Sequence, residues 1–205
     1  MNAPGQIVRQ GRKWDQVLDG ARTVFMRDGF EGASVDDIVR EAGVSKATLY
    51  SYFPDKRLLF LEVAKTECRA QSDAAVAQIG ETDDLREAMT KAAKRMVRFF
   101  MSDVGMQVYR IVVGESQRFP ELGREFYETG PAQVREILRD FLQKGIDAGK
   151  LKIEDLDLAV DQFPELCKAG LHMPMAIGIR SKPTDDEIDR VVESAVDMFL
   201  CRYGV

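Results

Sequence analysis

The stretch GVSKATLYSYFPDKRLLF, residues 43–60, decides how the chain is read. Gly43 follows a short apolar-periodic segment, and a glycine just past a last helical turn readily takes the left-handed conformation that satisfies loose carbonyls. Ser45 then caps a new helix, and Val44 and Leu49 stand at the spacing of a hydrophobic staple. Pro54 closes that helix, and Asp55 caps another that opens with Lys56 and Arg57. A step of about 100° per residue puts Leu49 and Phe53 on one side of the first helix and Ala47, Thr48 and Ser51 on the other. Tyr50 and Tyr52 flank this outward surface, with Lys46 at its leading turn. A solvated face would more typically carry Glu and Lys. Small side chains between reaching donors suit a helix in the major groove, where base edges are met closely and phosphates stand on both sides. Cations at the start of the following helix oppose its dipole at a cost of about 0.3–1 kcal/mol, which a nearby phosphate would offset.

Upstream, Ser34 is placed to cap a helix of about eight residues, with Asp37 at the capping-box position and Val35, Ile38, Val39 and Ala42 as its apolar stripe. Before it, Trp14, Leu18, Ala21 and Phe25, with Val17 and Val24 beside them, trace a longer helix that Gly29 stops. Residues 1 to about 9, with Pro4 and Gly5, read as a loose arm. Two short amphipathic helices joined by a three-residue turn with glycine describe a helix-turn-helix, although the same pattern fits an ordinary helical hairpin inside a bundle.

The totals favour an all-α protein: 205 residues, 45% hydrophobic and 31% charged, with helix formers outnumbering β-branched residues. The net charge of −5 is uneven, +1 over residues 1–60 and −6 over the rest, so a nucleic acid would meet a local basic face. Cys68, Cys167 and Cys201 are odd in number and far apart, which predicts core thiols in a reducing compartment. The opening MNAPGQIVRQGRK lacks the apolar run of a signal peptide, and MPMAIGI from Met173 falls far short of the ~20 residues of a membrane span. These features predict a cytoplasmic protein without a membrane segment.

GFEGASVDDIVREAGVSKATLYSYFPDKRLLF resembles the DNA-binding domain of the TetR family of one-component bacterial repressors, ungapped from about residue 12 to residue 61. The resemblance implies a three-helix helix-turn-helix domain over residues 1–55 and a ligand-binding and dimerisation helical domain over residues 56–205. It also implies a homodimer on a palindromic double-stranded DNA operator. Carried over by position, Ser34 is a phosphate contact, Lys46, Ala47 and Thr48 read bases, and Tyr50, Tyr52 and Lys56 anchor the backbone. Ser45 and Ser51 complete the DNA-facing set; Ala47 and Ser51 match variable positions, which carry no information on the bases read. YRIVVGESQRFPELGREFYETGP, from Tyr109, is similar to the regulatory domain of an AefR-like subgroup.

In the second half, helices are expected at about 83–101, 104–118, 121–149 (with a break at Gly130 and Pro131), 155–178 and 184–203. Thr184 and Glu187 repeat the capping signature before the last one. The resemblance assigns dimerisation to 155–178 and 184–203, and Pro164 and Pro174 would bend the first of these. Met89, Met96, Met101 and Met106 cluster beside Phe99, Phe100 and Tyr109, a flexible lining suited to an apolar or amphipathic effector. The expected effector site comprises Met96, Phe99, Phe100, Met106, Tyr109, Val113, Phe163, Cys167 and His172, with plain core packing as the competing account of each. His172, the single histidine, stands five residues from Cys167. A small helical enzyme or carrier using this pair is the alternative function. The spacing is poor for facing side chains and no third ligand is evident, so neither a metal, a cofactor nor catalysis is expected.

Overall fold

The computed structural model describes residues 11–66 and 84–205. The expected arm at residues 1–9 lies outside them, as does Cys68. The described residues are helical, apart from turns and one isolated bridge between Leu151 and Gly204. The chain divides into two compact units, one ending at Glu67 and the other beginning at Cys68.

In the first unit, α1 (Arg12–Gly32) leaves helical geometry at Gly29, whose φ of 70° is the left-handed conformation that glycine adopts without strain. There follow α2 (Val35–Ala42), α3 (Lys46–Tyr52) and α4 (56–66). Ser34 and Ser45 accept hydrogen bonds from the Asp37 and Thr48 amides, capping α2 and α3, and Gly43 ends α2 with φ 63°. Asp55 caps α4 by accepting from the Arg57 amide at 2.7 Å. Trp14, Val17, Ala21, Val24 and Phe25 of α1 are buried with Ile38, Leu49, Phe53, Leu59 and Phe60. The sequence places the domain boundary before α4, whereas packing groups this helix with the first unit: Phe60 lies 5.0 Å from Phe25 and 5.1 Å from Phe30 between ring centroids.

The second unit contains α5 (Leu85–Phe100), α6 (Asp103–Glu115), α7 (Pro120–Thr129), α8 (Pro131–Asp147), α9 (Leu156–Cys167), α10 (His172–Ala176) and α11 (Asp185–Tyr203). Its core joins Met89, Ala93 and Val97 of α5 to Val160 and Phe163 of α9 and to Ile188, Val192, Val196 and Phe199 of α11. Lys94 bridges from α5 to Asp189 and Glu193 of α11, at 3.0 and 2.9 Å. The capping box of Thr184 and Glu187 is complete. The break at Gly130 and Pro131 is present, with proline at the first position of α8, where its missing N–H is no loss.

Two expectations need correction. A continuous helix over 155–178 does not form: α9 stops at Cys167, Gly170 turns the chain with φ 70°, and α10 restarts at His172. Pro174 therefore falls in a first helical turn, where an amide would have no helical partner, and Pro164 alone interrupts the bonding of α9. Cys201 is not a core thiol; it is exposed, while Cys167 is buried.

Gly20 of α1 lies close against Ala42 of α2. A Cβ there would lie 2.6 Å from the Ala42 nitrogen and 2.7 Å from its Cα, and backbone cannot step aside without separating the helices. Gly20→Ala is expected to destabilise the first unit by about 1–3 kcal/mol, as overpacking does. Thermal unfolding should show a fall of several degrees; an unchanged midpoint would contradict the close crossing.

Candidate nucleic-acid interface and regulatory core

Helix α3 has only seven residues, too few to be stable alone, so its orientation comes from packing. Leu49 and Phe53 are fully buried, and the Phe53 ring lies 4.5 Å from that of Trp14. The opposite side is therefore held outward: Ala47 and Ser51 are exposed, Tyr50 is 48% exposed and Thr48 is half-buried. Tyr52 is braced edge-on against Trp14 at 5.6 Å and half-buried.

The hydroxyls are ordered from within. Ser45 and Thr48 share a hydrogen bond of 2.9 Å, and Ser51 donates to the Thr48 carbonyl at 2.7 Å. Lys46 reaches Asp36 of α2 at 2.7 Å, and this carboxylate, chiefly through the hydrogen bond, raises the lysine pKa. A phosphate at Lys46 must compete with that partner. Ser34 is exposed at the start of α2, beside its cap bond to Asp37. Lys56, which the sequence makes a backbone anchor, has its ammonium turned inward: it donates to the Phe30 carbonyl at 2.7 Å and the Ala33 carbonyl at 3.0 Å. Arg57 folds back onto Asp55, so the cations opening α4 are compensated inside the protein.

In the second unit the nine residues expected to meet an effector separate into layers. Met106, Phe163 and Cys167 lie in the core; Met96, Phe99, Phe100 and His172 are half-buried; Tyr109 and Val113 reach the surface. The structure brings Tyr109 and His172 together, edge to face at 4.6 Å. It also adds residues that spacing does not single out. Lys168 lies 5.9 Å above the Phe100 ring and pairs with Glu165 at 2.7 Å. Arg110 donates to the Met175 and Ala176 carbonyls at 2.6 and 3.1 Å, tying α6 to the end of α10. The adjacency of Arg110 to Tyr109 was the only hint in the sequence, because its acceptors are backbone atoms over sixty residues away.

Burial pushes the Cys167 thiol up to about 12 against the opposing charge of Lys168, so the group stays neutral and non-nucleophilic near neutrality. Burial, then the charge of Lys168, lowers the His172 pKa below its usual 6.5. Among the described residues no helix is long and apolar enough to cross a membrane.

Two measurements check these contacts. Ser45→Ala removes the cap of α3 and is expected to cost about 1 kcal/mol in chemical denaturation; no change would remove the cap from the account. His172 remains neutral in the fold at pH values where the unfolded chain already binds a proton, so stability falls as pH drops below about 6.5. His172→Phe should flatten that part of the profile, and an unaltered acid-side slope would contradict the burial of the imidazole.

Residues 17–63 match the family model described as bacterial regulatory proteins, tetR family, and residues 87–205 match that of the AefR-like transcriptional repressor C-terminal domain. The chain is 23% identical to the HTH-type transcriptional repressor AcnR of Corynebacterium glutamicum, with 86% of this chain and 88% of the relative covered. Among solved structures, a TetR-family regulator from Mesorhizobium loti superposes with a TM-score of 0.80 at 24% identity, covering 96% of this chain and all of the other. The flavonoid-responsive regulator FrrA is 34% identical, with a TM-score of 0.68 and coverage of 95% and 98%. A helix-turn-helix with an outward-facing α3, joined in one chain to an AefR-like helical unit, thus meets a family match over most of its length: the chain belongs to the TetR family of transcriptional regulators.

Proposed function

We propose that the protein is a ligand-responsive repressor that binds a palindromic operator as a homodimer and is released by a small apolar or amphipathic effector. The observation that carries this reading is the outward face of α3, where exposed Ala47 and Ser51 lie beside Tyr50 and Lys46 while Leu49 and Phe53 hold the helix from behind. In this reading α3 of each subunit enters the major groove, the half-sites lying ~34 Å apart or a multiple of it. Lys46, Ala47 and Thr48 meet base edges, assisted by Ser45 and Ser51. Ser34, Tyr50 and Tyr52 hold phosphates.

Dimerisation falls to α9 and α11, where exposed Leu158 and Met198 supply apolar surface. The effector enters between α5, α6 and α9–α10, against Phe100, Tyr109 and His172. The name of FrrA, a relative over nearly the whole chain, supports flavonoids as the first compounds to try. An effector that favours a different separation of the two DNA-binding heads lowers operator affinity by its differential binding, typically ~1–3 kcal/mol, and DNA lowers effector affinity equally. Such a regulator works in the cytoplasm, where the DNA is.

DNA selected in vitro by the purified protein tests the reading. Tyr50→Ala should weaken binding to all sequences, whereas Thr48→Ala should also relax base preference at one position of each half-site. Unaltered affinity in gel shifts with both variants would remove α3 from the interface. Absence of any selected sequence would remove the repressor reading itself.

A further inference from the structure

Phe100 closes α5, Tyr109 lies in α6, Lys168 directly follows α9 and His172 opens α10, so four helices each bring a side chain to one region of the second unit. The Lys168 ammonium lies 5.9 Å from the centre of the Phe100 ring. The Lys168 carbonyl accepts from the His172 amide at 3.2 Å, and the imidazole meets the Tyr109 ring edge to face at 4.6 Å. Phe100 and His172 are half-buried and Tyr109 is exposed, so none of the three rings is sealed in the core.

One charge overlooks these rings. Among the described residues Glu165 is the only hydrogen-bond partner of the Lys168 ammonium, at 2.7 Å, which leaves two of its three N–H donors free of protein partners. The pair is unequally placed: the lysine side chain is 20% exposed and that of the glutamate 74%. A carboxylate so exposed contributes little through its ion pair and exchanges readily for another anion. The Tyr109 hydroxyl likewise has no protein partner among the described residues. A lysine just past α9 also meets the negative end of that helix's dipole, which accounts for its charge but not for the rings beside it. We propose that the effector is an amphipathic aromatic anion: Lys168 takes its acid group in place of Glu165, and its rings lie against Phe100, Tyr109 and His172. The imidazole, whose pKa is lowered by burial and by Lys168, supplies a neutral ring near neutrality and no competing charge. The proposal rests on the reading of this region as the effector site and narrows the effector to one chemical class.

Two fluorescent probes that differ only in an acid group test it on the full-length protein: 1-anilinonaphthalene-8-sulfonate and its uncharged parent, N-phenyl-1-naphthylamine. Wild-type protein should bind the sulfonate more tightly than the parent. Lys168→Met keeps the aliphatic stem and deletes the charge; its expected effect is a loss of about tenfold in sulfonate affinity, in line with a lost hydrogen bond to a charged group, with the parent unaffected. Glu165→Gln removes the competing carboxylate and should tighten the sulfonate by roughly two- to fivefold. Tyr109→Ala removes an exposed ring and should weaken both probes alike, which locates them beside α6.

A lysine that only stabilises the end of α9 would change the binding of both probes or of neither, so the selectivity between them is the decisive readout. Probes that respond to Tyr109→Ala but keep the same preference in Lys168→Met would overturn the anion and leave the effector site standing. Failure of both probes to bind, or binding indifferent to Tyr109→Ala, would overturn the effector-site reading and the proposal with it.

Discussion

Burial of Leu49 and Phe53 against Trp14 is the constraint on which the first unit depends, because α3 is too short to hold any orientation by itself. A seven-residue helix capped by Ser45, with two anchors one turn apart, can rotate only by exposing an aromatic ring to water, a loss of about 1.5–3 kcal/mol for a fully buried side chain. The direction in which Ala47, Tyr50 and Ser51 face is thus a consequence of what is hidden. The close crossing at Gly20 brings α2 against α1, and Lys56 bonds the first turn of α4 to the carbonyls of Phe30 and Ala33.

The second unit follows a different logic. Its core is a shared seam of α5, α9 and α11, reinforced at the surface by Lys94 and Arg98 reaching to the acidic first half of α11. Such exposed pairs contribute little each. Around α10 the contacts are of another kind: two left-handed glycines, Gly170 and Gly178, bracket a five-residue helix whose last carbonyls are taken by Arg110. Beside it the exposed Tyr109 meets the half-buried His172 edge to face, and Phe100 lies under the Lys168 ammonium.

The sequence is legible wherever the physics is local. Ser34, Ser45, Asp55 and Thr184 cap helices because each cap is decided within three residues, and Gly43 ends α2 because its conformation is its own. The inward and outward sides of α3 followed from helical periodicity. What sequence could not disclose were partners far along the chain: Lys56 with the end of α1, Lys46 with Asp36, Arg110 with the end of α10. The helix expected over 155–178 broke at a glycine and not at its prolines, since one proline is tolerated within α9 and the other falls in the first turn of α10, where it is no obstacle. The layered burial of Met106, Tyr109 and Val113 likewise depends on where neighbouring helices lie.

The central claim is that the small outward face of α3 meets base edges in the major groove. Methylation interference at guanine N7, an atom displayed only in that groove, tests it most directly on an operator selected by the protein. The account predicts two clusters of guanines, centred about one helical turn apart or a multiple of it, at which methylation prevents binding. Binding that tolerates N7 methylation at every position of the operator would contradict it.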